Sequence, residues 1–246
     1  MTGPVLHAAP SVIPGGMLAF MPVSHDAPDG FADLDSSERA LALTMPQPRR
    51  DSFVAGRIAL RAALRAVRPA LAESALLQSP RGAPQLPSGT SGSVSHKRTR
   101  AVALVAPYHD EHVGVDLEMR VRPDTPLKDS EVRRALARRI LTSREQANLH
   151  ALDDVAHRDV TLLHFALKEA VYKAIDPFVE RFVPFTEVEI DINEVETASA
   201  REVGVAHVTS LLPECKHTPL DVRAAWWLQE DWIVATAVAG KRGCRL

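Results

Sequence analysis

Cysteine and excess positive charge are both scarce in this chain of 246 residues. Cys215 and Cys244 are the only cysteines and stand in no motif, which argues against a disulfide framework or zinc site and favours a reduced, cytoplasmic setting. The 29 basic and 31 acidic residues give a formal net charge of −2, so no overall positive field favours nucleic acid as a partner.

Long apolar runs and a basic N-terminal segment are also missing. No apolar stretch approaches the roughly 20 residues of a membrane-spanning helix. Residues 1–16 are interrupted by Pro4, Pro10 and Pro14 and do not resemble a signal peptide. We therefore expect no membrane partner. A composition of 46% hydrophobic and 24% charged residues is typical of a globular chain with one large core or two modest ones.

The segment 113–118 alternates apolar residues with Gly114, Asp116 and Glu118, which is the period of a half-buried strand. Both carboxylates therefore leave the same face, and Gly114 leaves room for another group to approach. Paired carboxylates repel each other unless a cation lies between them. With Glu169 as a third oxygen ligand, the set suits Mg²⁺, with Mn²⁺ as the alternative.

Lys173 follows Glu169 by one turn of a predicted helix over 161–175, where it could hold an anion beside the metal. Taken alone, these features have simpler explanations. Asp116 and Glu118 could form the solvent face of an edge strand. Glu169 and Lys173 could form a surface ion pair worth about 0.3–0.5 kcal/mol.

Arg57, Arg61 and Arg65 repeat every four residues and form a positive stripe on a predicted helix. The stripe is either a solvated face or a cradle for phosphates, which guanidinium groups bind in a forked geometry. Ser95 and His96 close a predicted strand, and the histidine is either a hairpin residue or a donor to an anion.

Periodicity and turn residues predict the remaining elements. Hairpins over 93–106 and 224–239 resemble each other, which suggests two related α/β halves that meet near residue 115. We also predict a strand over 17–20, helices over 36–43, 51–67 and 130–140, a loop over 79–92, a capping box at 142–145 and a strand over 188–192.

Five motifs follow one another in a particular order along the chain. They are Gly56-Arg57 on a helix, a Gly-Ala-Pro-x-x-Pro loop at 82–87, and the segments 92–96, 114–118 and 165–174. This order resembles the 4′-phosphopantetheinyl transferases, and it is closest to their long, pseudo-dimeric class. That class serves siderophore and non-ribosomal peptide synthetases and includes the surfactin- and enterobactin-type enzymes.

The resemblance implies an α+β fold of two pseudo-twofold-related α/β subdomains, each with a small antiparallel sheet. Residues 1–115 would form the subdomain on the coenzyme A 3′-phosphate side. Residues 116–246 would carry the metal ligands and the catalytic helix, with the active site in the cleft between the two subdomains. We expect a monomer.

The resemblance also assigns roles to individual residues. The metal ligands would be Asp116, Glu118 and Glu169. The contacts to coenzyme A would come from Arg57 or Arg61 at the 3′-phosphate, from Ser95 and His96, and from Lys173 at a phosphate. Members often carry a basic residue in the loop where this chain has Ala83, and Arg81 could replace that charge.

The implied reaction is Mg²⁺-dependent transfer of the phosphopantetheine arm from coenzyme A to a serine of an acyl or peptidyl carrier protein. Lys173 would stabilise the developing charge, and Glu169 or Glu118 would accept the serine proton. Two alternatives are a metal-dependent nuclease, which would need a lysine where Arg120 stands, and a non-catalytic coenzyme A-binding relative, which would be expected to have lost a ligand.

The helix predicted over 130–140 carries Arg133, Arg134, Arg138 and Arg139 between apolar residues. It is either an ordinary solvated amphipathic helix or a docking face for the acidic helix of a carrier protein.

Overall fold

A computed structural model describes residues 3–24, 30–120, 130–198, 201–212 and 219–241. The first half of the chain forms β1 (Val5–Ala8), β2 (Met17–Pro22), α1 (Ser36–Leu43), α2 (Gln47–Val67), β3 (Thr90–His96) and β4 (Arg100–Pro107). The second half forms β5 (Glu111–Met119), α3 (Ser130–Ile140), α4 (Ser143–Leu149), α5 (Asp154–Val179), β6 (Val188–Ala198), β7 (Arg201–Ser210), β8 (Leu220–Gln229) and β9 (Trp232–Lys241).

Two antiparallel sheets organise these elements. The first has the strand order β1-β2-β4-β3 and the second the order β5-β9-β8-β7-β6. In the first half, strand β2 is followed by the long helix α2 and then by the hairpin β3–β4. The second strand of this hairpin, β4, pairs with β2. The elements β5, α5 and β8–β9 repeat this arrangement, so the predicted α+β fold with two small antiparallel sheets is confirmed.

Helix α2 covers one face of the first sheet. Its small and branched apolar residues recur every three or four positions, so they form one stripe that packs on β2 and β4. The stripe consists of Ala55, Ala59, Leu60, Ala63 and Leu64. The helix begins before the predicted Asp51, because Pro48 fits the first turn, where a backbone N–H has no partner within the helix.

Helix α5 covers the second sheet in the same way and is longer than predicted. Asp153 caps its start by accepting hydrogen bonds from the backbone N–H groups of Val155 and Ala156 at 2.9 and 2.8 Å. It ends at Glu180, whose φ of 53° stops the helical repeat. The predicted apolar stripe of Leu163, Leu167, Ala170 and Ala174 packs on β8 and β9.

Gly114 lies where β5 and α5 are closest. A Cβ at this position would lie 1.9 Å from the carbonyl oxygen of Ala170. The group that approaches Gly114 is therefore the backbone of α5. The close approach holds α5 directly over the face of β5 that carries Asp116 and Glu118.

Serine side chains join the edges of the two sheets. The hydroxyl of Ser91 accepts a hydrogen bond from the N–H of Val113, and that of Ser93 from the N–H of Val115, both at 3.1 Å. The predicted boundary between residues 115 and 116 falls inside β5, all of which pairs with β9. We therefore place the passage between the two sheets in the connection 108–110, while the roles assigned to the two halves stay predictions.

Behind this seam the two sheets share an apolar core. Leu18, Phe20 and Leu104 of the first sheet belong to the same buried cluster as Val115 and Val234 of the second. Because one core stabilises both halves, their relative position is set by packing as well as by the serine contacts.

A buried ion pair fixes α3 and α4 to α5. The ammonium of Lys168 lies 2.6 Å from a carboxylate oxygen of Glu145 and donates to the carbonyls of Ile140 and Phe185. The predicted capping box is present, with Glu145 bonded to the N–H of Thr142.

Strand β7 was absent from the sequence-based prediction. Among the helices of the described ranges, none is long and apolar enough to cross a membrane.

Candidate functional site

A cleft of about 520 Å³ lies between helices α2 and α5, and the residues at its base come from β3 and the start of β5. This volume is in the range of small-molecule sites. Its walls combine basic groups from both halves with two carboxylates of α5, Glu169 and Asp176. The basic groups are Arg49, Arg57, Arg81, His96 and Lys173, with the imidazole of His112 nearby.

Asp116 is the most buried of the predicted metal ligands, with 3% of its surface exposed. Its Oδ1 accepts hydrogen bonds from the hydroxyl of Ser95 and from the ammonium of Lys173, both at 2.7 Å. Lys173 also donates to the carbonyl of Val115 at 2.9 Å. The second oxygen, Oδ2, is buried and has no hydrogen-bond partner among the described residues.

Glu118 is held by a residue that the sequence analysis did not select. The ammonium of Lys97, from the turn between β3 and β4, lies 2.5 Å from its Oε1. Burial raises the pKa of Glu118 and the negative charge of Asp116 raises it further, while Lys97 opposes both effects. Glu118 is therefore a carboxylate that gains from any nearby cation.

Glu169 lies in the wall of the cleft, on α5, one turn before Lys173. Burial raises its pKa, Lys173 lowers it, and the charge of Asp116 adds to the rise. A carboxylate with a raised pKa holds a proton more readily than an exposed one, which suits a group that must accept a proton.

The predicted metal ligands fit a hard divalent ion in their chemistry, since all are carboxylates and Oδ2 of Asp116 is buried with no hydrogen-bond partner in the described ranges. They are not gathered around one point: within the described ranges, no three acidic, histidine or cysteine side chains form a metal-binding group. Lys97 and Lys173 balance the charge of the cluster instead.

Ser95 and His96 have different positions. The buried Ser95 hydroxyl is used to hold Asp116, while His96 lines the cleft. Burial lowers the pKa of the imidazole, and the nearby charge of Lys173 lowers it further. We therefore expect His96 to be neutral at pH 7, with one ring N–H available to a ligand.

The structure separates the two arginines that the sequence left as alternatives. Arg57 lines the cleft, packs 4.5 Å above the ring centre of Phe53, and bonds the carbonyl of Leu77 at 3.3 Å. Its Nε is buried and has no partner in the described part of the chain. Burial lowers its pKa to about 10, which leaves the group cationic at neutral pH.

Arg61 does not line the cleft. It makes two bonds to the buried carboxylate of Glu38, at 2.9 and 2.8 Å, and others to the carbonyls of Ala72 and Ser74. Glu38 also accepts the N–H of Leu76 at 2.7 Å. These bonds tie α1, α2 and the following loop together, so Arg57 and not Arg61 faces the cleft.

Arg81 lies at the cleft but is engaged by helix α5. Its Nε donates to Oδ2 of Asp176 at 3.0 Å, and its other nitrogens contact the hydroxyl of Tyr172 and the carbonyl of Glu180. The neighbouring Asp176 raises the pKa of Arg81. The side chain therefore closes one side of the cleft. Its charge is paired with Asp176, so it is not a free charge of the kind expected to replace a basic residue at Ala83.

Sequence reasoning missed Arg49, His112, Tyr172 and Asp176, which line the cleft, and Lys97, which contacts Glu118. His112 lies between the rings of Tyr108 and Phe178, with ring centres 5.1 Å from each. Asp176 could have been found from its helical spacing to Lys173. Lys97 and His112 have no local signal, since their partners are distant in the sequence.

The arginine-rich helix α3 has the predicted bounds, Ser130–Ile140. Arg134 and Arg138 are exposed, and so are Val132 and Leu136, each with 55% of its surface accessible. The side chain of Arg133 lies outside the described part. The two exposed arginines border a second cavity, of about 270 Å³, against α4 and the start of α5.

A cleft with cations on both walls and buried carboxylates beneath it suits a polyanionic ligand. Two family models match this chain: the 4′-phosphopantetheinyl transferase N-terminal domain over residues 37–106, and the 4′-phosphopantetheinyl transferase superfamily over residues 112–237. The chain belongs to this superfamily and is an enzyme of the 4′-phosphopantetheinyl transferase class.

Curated relatives agree with the family models. The chain is 33% identical over 220 residues to the 4′-phosphopantetheinyl transferase Svp of Streptomyces mobaraensis. The aligned segment covers 87% of this chain and 82% of that protein. It is 30% identical over 218 residues to the 4′-phosphopantetheinyl transferase Npt of Nocardia iowensis, covering 86% of this chain and 91% of that one. These matches favour the transferase over the nuclease and the non-catalytic relative.

Proposed function

We propose that this enzyme transfers the 4′-phosphopantetheine arm of coenzyme A to a serine of an acyl or peptidyl carrier protein and releases adenosine 3′,5′-bisphosphate. The observation that carries the proposal is the contact between Lys173 and Asp116, which places an ammonium group at the wall of a cleft that both halves of the molecule line. The family assignment supplies the reaction class.

Coenzyme A carries a 3′-phosphate at one end of its nucleotide and a pyrophosphate between nucleotide and pantetheine. Arg57 would bind the 3′-phosphate, because it is cationic and its Nε is buried without a partner among the described residues. His96 would donate a ring N–H to an anionic oxygen. Lys173 would contact the pyrophosphate, since only part of its hydrogen-bonding capacity is used by Asp116 and Val115.

In the reaction, the serine oxygen attacks the pyrophosphate phosphorus that bears the pantetheine arm. The bond from this phosphorus to the bridging oxygen breaks, and its electron pair leaves with adenosine 3′,5′-bisphosphate. Lys173 would stabilise the negative charge that develops on the departing phosphate. Glu169 or Glu118 would accept the serine proton, a contribution worth about 10²–10⁴ in rate.

Asp116, Glu118 and Glu169 would hold Mg²⁺ or Mn²⁺. When bound, a divalent ion would neutralise charge on the phosphate oxygens as the bond to the leaving group breaks. The buried Oδ2 of Asp116 supports this role, because an unpartnered buried carboxylate oxygen is costly unless something binds it.

Several finer assignments belong to the same proposal. The carrier proteins would be those of siderophore or non-ribosomal peptide synthesis, since the order of motifs resembles the long class. The enzyme would act in the cytoplasm as a monomer, without nucleic acid or a membrane as partner. Its two subdomains would share the substrate, with the 3′-phosphate on the first and the metal on the second.

The proposal is tested by incubating the protein with coenzyme A, Mg²⁺ and an apo carrier protein of a non-ribosomal peptide synthetase. Intact-mass measurement should show one added phosphopantetheine group. A carrier protein with its serine replaced by alanine should stay unmodified. No mass increase with several active apo carrier proteins would contradict the proposal, and full activity in excess chelator would remove the metal from it.

A further inference from the structure

Asp116 and Glu118 of strand β5 each pair with a different lysine. Lys173, from helix α5, pairs with Asp116 at 2.7 Å, and Lys97 pairs with Glu118 at 2.5 Å. Lys173 belongs to the same half of the molecule as its partner. Lys97 comes from the other half, in the turn between β3 and β4, and the function proposed above gives it no role.

The position of Lys97 is defined at both ends of the residue. Its backbone N–H donates to the carbonyl of Arg100 at 2.8 Å, which closes the hairpin turn. Its ammonium contacts Glu118 and lies 5.9 Å from the ring centre of Phe165 on α5. The side chain thus crosses the seam between the two sheets.

The two partners differ in their access to water. The side chain of Lys97 is 37% exposed and that of Glu118 only 11%. An ammonium at the solvent edge can leave the pair and be hydrated at little cost, whereas the carboxylate stays in its buried position beside Asp116. While it is ionised, Glu118 therefore needs a positive partner.

Two cations can meet this need, either the ammonium of Lys97 or a divalent ion bound at the carboxylates. An ion bound by the carboxylate of Glu118 would lie close to the ammonium of Lys97, and two positive charges that close together repel each other. Such an ion must therefore displace Lys97 from Glu118, and the free energy of the ion pair is subtracted from that of metal binding.

We propose that Lys97 is a resident counter-ion of Glu118 that weakens the binding of divalent ions to the free protein and so sets its metal affinity. This inference rests on the metal site of the proposed function and adds a residue that tunes that site. Lys97 stabilises the cluster when no metal is bound and withdraws to the solvent edge when an ion takes Glu118.

The test measures metal binding directly, without turnover. The full chain is titrated with Mn²⁺ in the absence of coenzyme A, and the free ion is followed by electron paramagnetic resonance. Lys97→Met should bind Mn²⁺ about tenfold more tightly than wild type, which corresponds to about 1.4 kcal/mol. Lys97→Arg keeps the charge and should stay near the wild-type affinity.

Lys241→Met is the matched control, because it also removes one positive charge. Lys241 is the last residue of β9, whereas Glu118 lies opposite Ile233 near the start of that strand. It should leave the affinity unchanged. Glu118→Gln should weaken binding in both the wild-type and the Lys97→Met background. In thermal melts, Mn²⁺ should stabilise Lys97→Met more than wild type, since tighter binding to the folded state gives a larger shift.

Equal Mn²⁺ affinity in Lys97→Met and wild type, with Glu118→Gln still weakened, would overturn the role of Lys97 and leave the metal site intact. If Lys97→Met does not fold, Lys97→Gln gives the same comparison with a polar side chain. If no variant binds Mn²⁺ and the transfer reaction proceeds in chelator, the metal site fails and the inference about Lys97 fails with it, while the transferase activity stands.

Discussion

The ammonium of Lys173 and the Oδ1 atom of Asp116 lie 2.7 Å apart, and this contact links helix α5 to strand β5 at the wall of the cleft. Ser95 of the first sheet donates to the same oxygen at 2.7 Å. Asp116 therefore joins groups from both halves of the molecule. Its second oxygen is buried, has no hydrogen-bond partner in the part of the chain that the structure describes, and is the atom that the proposed metal would use.

Asp116→Asn should lower the rate of phosphopantetheine transfer by about 10²–10³, the range seen when one stabilising group is removed from an active site. The amide keeps the size of the side chain, so the fold should persist and melting should stay cooperative. Intact-mass kinetics and a thermal melt on the same sample measure both. Loss of cooperative melting together with activity would show that the charge of Asp116 serves mainly the structure.

Lys173→Met should reduce kcat more than it raises the KM for coenzyme A. The charge of Lys173 is most useful when the pyrophosphate bond breaks, because negative charge then accumulates on the leaving phosphate. Steady-state kinetics with a saturating carrier protein separates the two constants. A variant with a raised KM and an unchanged kcat would make Lys173 a binding residue only.

Arg57→Gln and Arg61→Gln should have different effects, although the two arginines lie one turn apart on the same helix. The first should change ligand affinity and the second the stability of the fold. Arg57→Gln should weaken coenzyme A by about 1.5–3 kcal/mol, the value of a hydrogen bond to a charged group, and leave 3′-dephospho-coenzyme A almost unaffected. Arg61→Gln should leave both affinities unchanged and lower the free energy of unfolding by about 3–5 kcal/mol, because Glu38 stays buried without its partner.

Isothermal titration calorimetry with the two ligands and denaturant unfolding of both variants provide this comparison. Equal loss of coenzyme A and 3′-dephospho-coenzyme A in Arg57→Gln would place the 3′-phosphate elsewhere. A stable Arg61→Gln variant with weakened coenzyme A binding would return Arg61 to the site.

Gly114→Ala should destabilise the protein by at least the 1–3 kcal/mol of an overpacked core, because its Cβ would meet the Ala170 carbonyl oxygen at 1.9 Å. Activity should fall with it, since α5 carries Glu169 and Lys173. Gly3→Ala is the control, as a Cβ there meets nothing within 4 Å. A Gly114→Ala protein of normal stability would show that the close approach of α5 does not depend on this glycine.

Reversing the charge of Arg134 and Arg138 to glutamate should slow transfer to carrier protein and leave coenzyme A affinity unchanged. Both residues are exposed on α3 beside exposed apolar side chains, which is a surface that could receive an acidic helix. The wild-type rate should also fall with salt, as the Debye length shortens from about 10 Å at 0.1 M to about 3 Å at 1 M.

The control for this double variant is Arg65→Glu with Arg68→Glu, which changes the net charge equally at the end of α2. It should have little effect on the rate at low salt. If the two double variants behave alike, α3 is an ordinary solvated helix.

Local elements were well predicted from the sequence. The bounds of α1 and α3 agree with the predictions over 36–43 and 130–140, and the capping box at 142–145 is present. Their signals lie within one or two helical turns, where side chain and backbone interact directly. Strand β7 was missed because apolar and polar residues alternate only weakly along it. It is held in place by pairing with β6 and β8, which its own sequence does not show.

By itself, the sequence determined the residue types of the site and their order, and that order indicated the transferase family and the α+β fold. Only the tertiary structure decided which of these residues meet. Arg57 and Arg61 carry the same local signal, yet one lines the cleft and the other is held by Glu38, 23 positions away. Lys97 and Glu118 come together only because two sheets pack edge to edge. Such contacts depend on burial and on the charge of distant partners, which periodicity along a chain does not record.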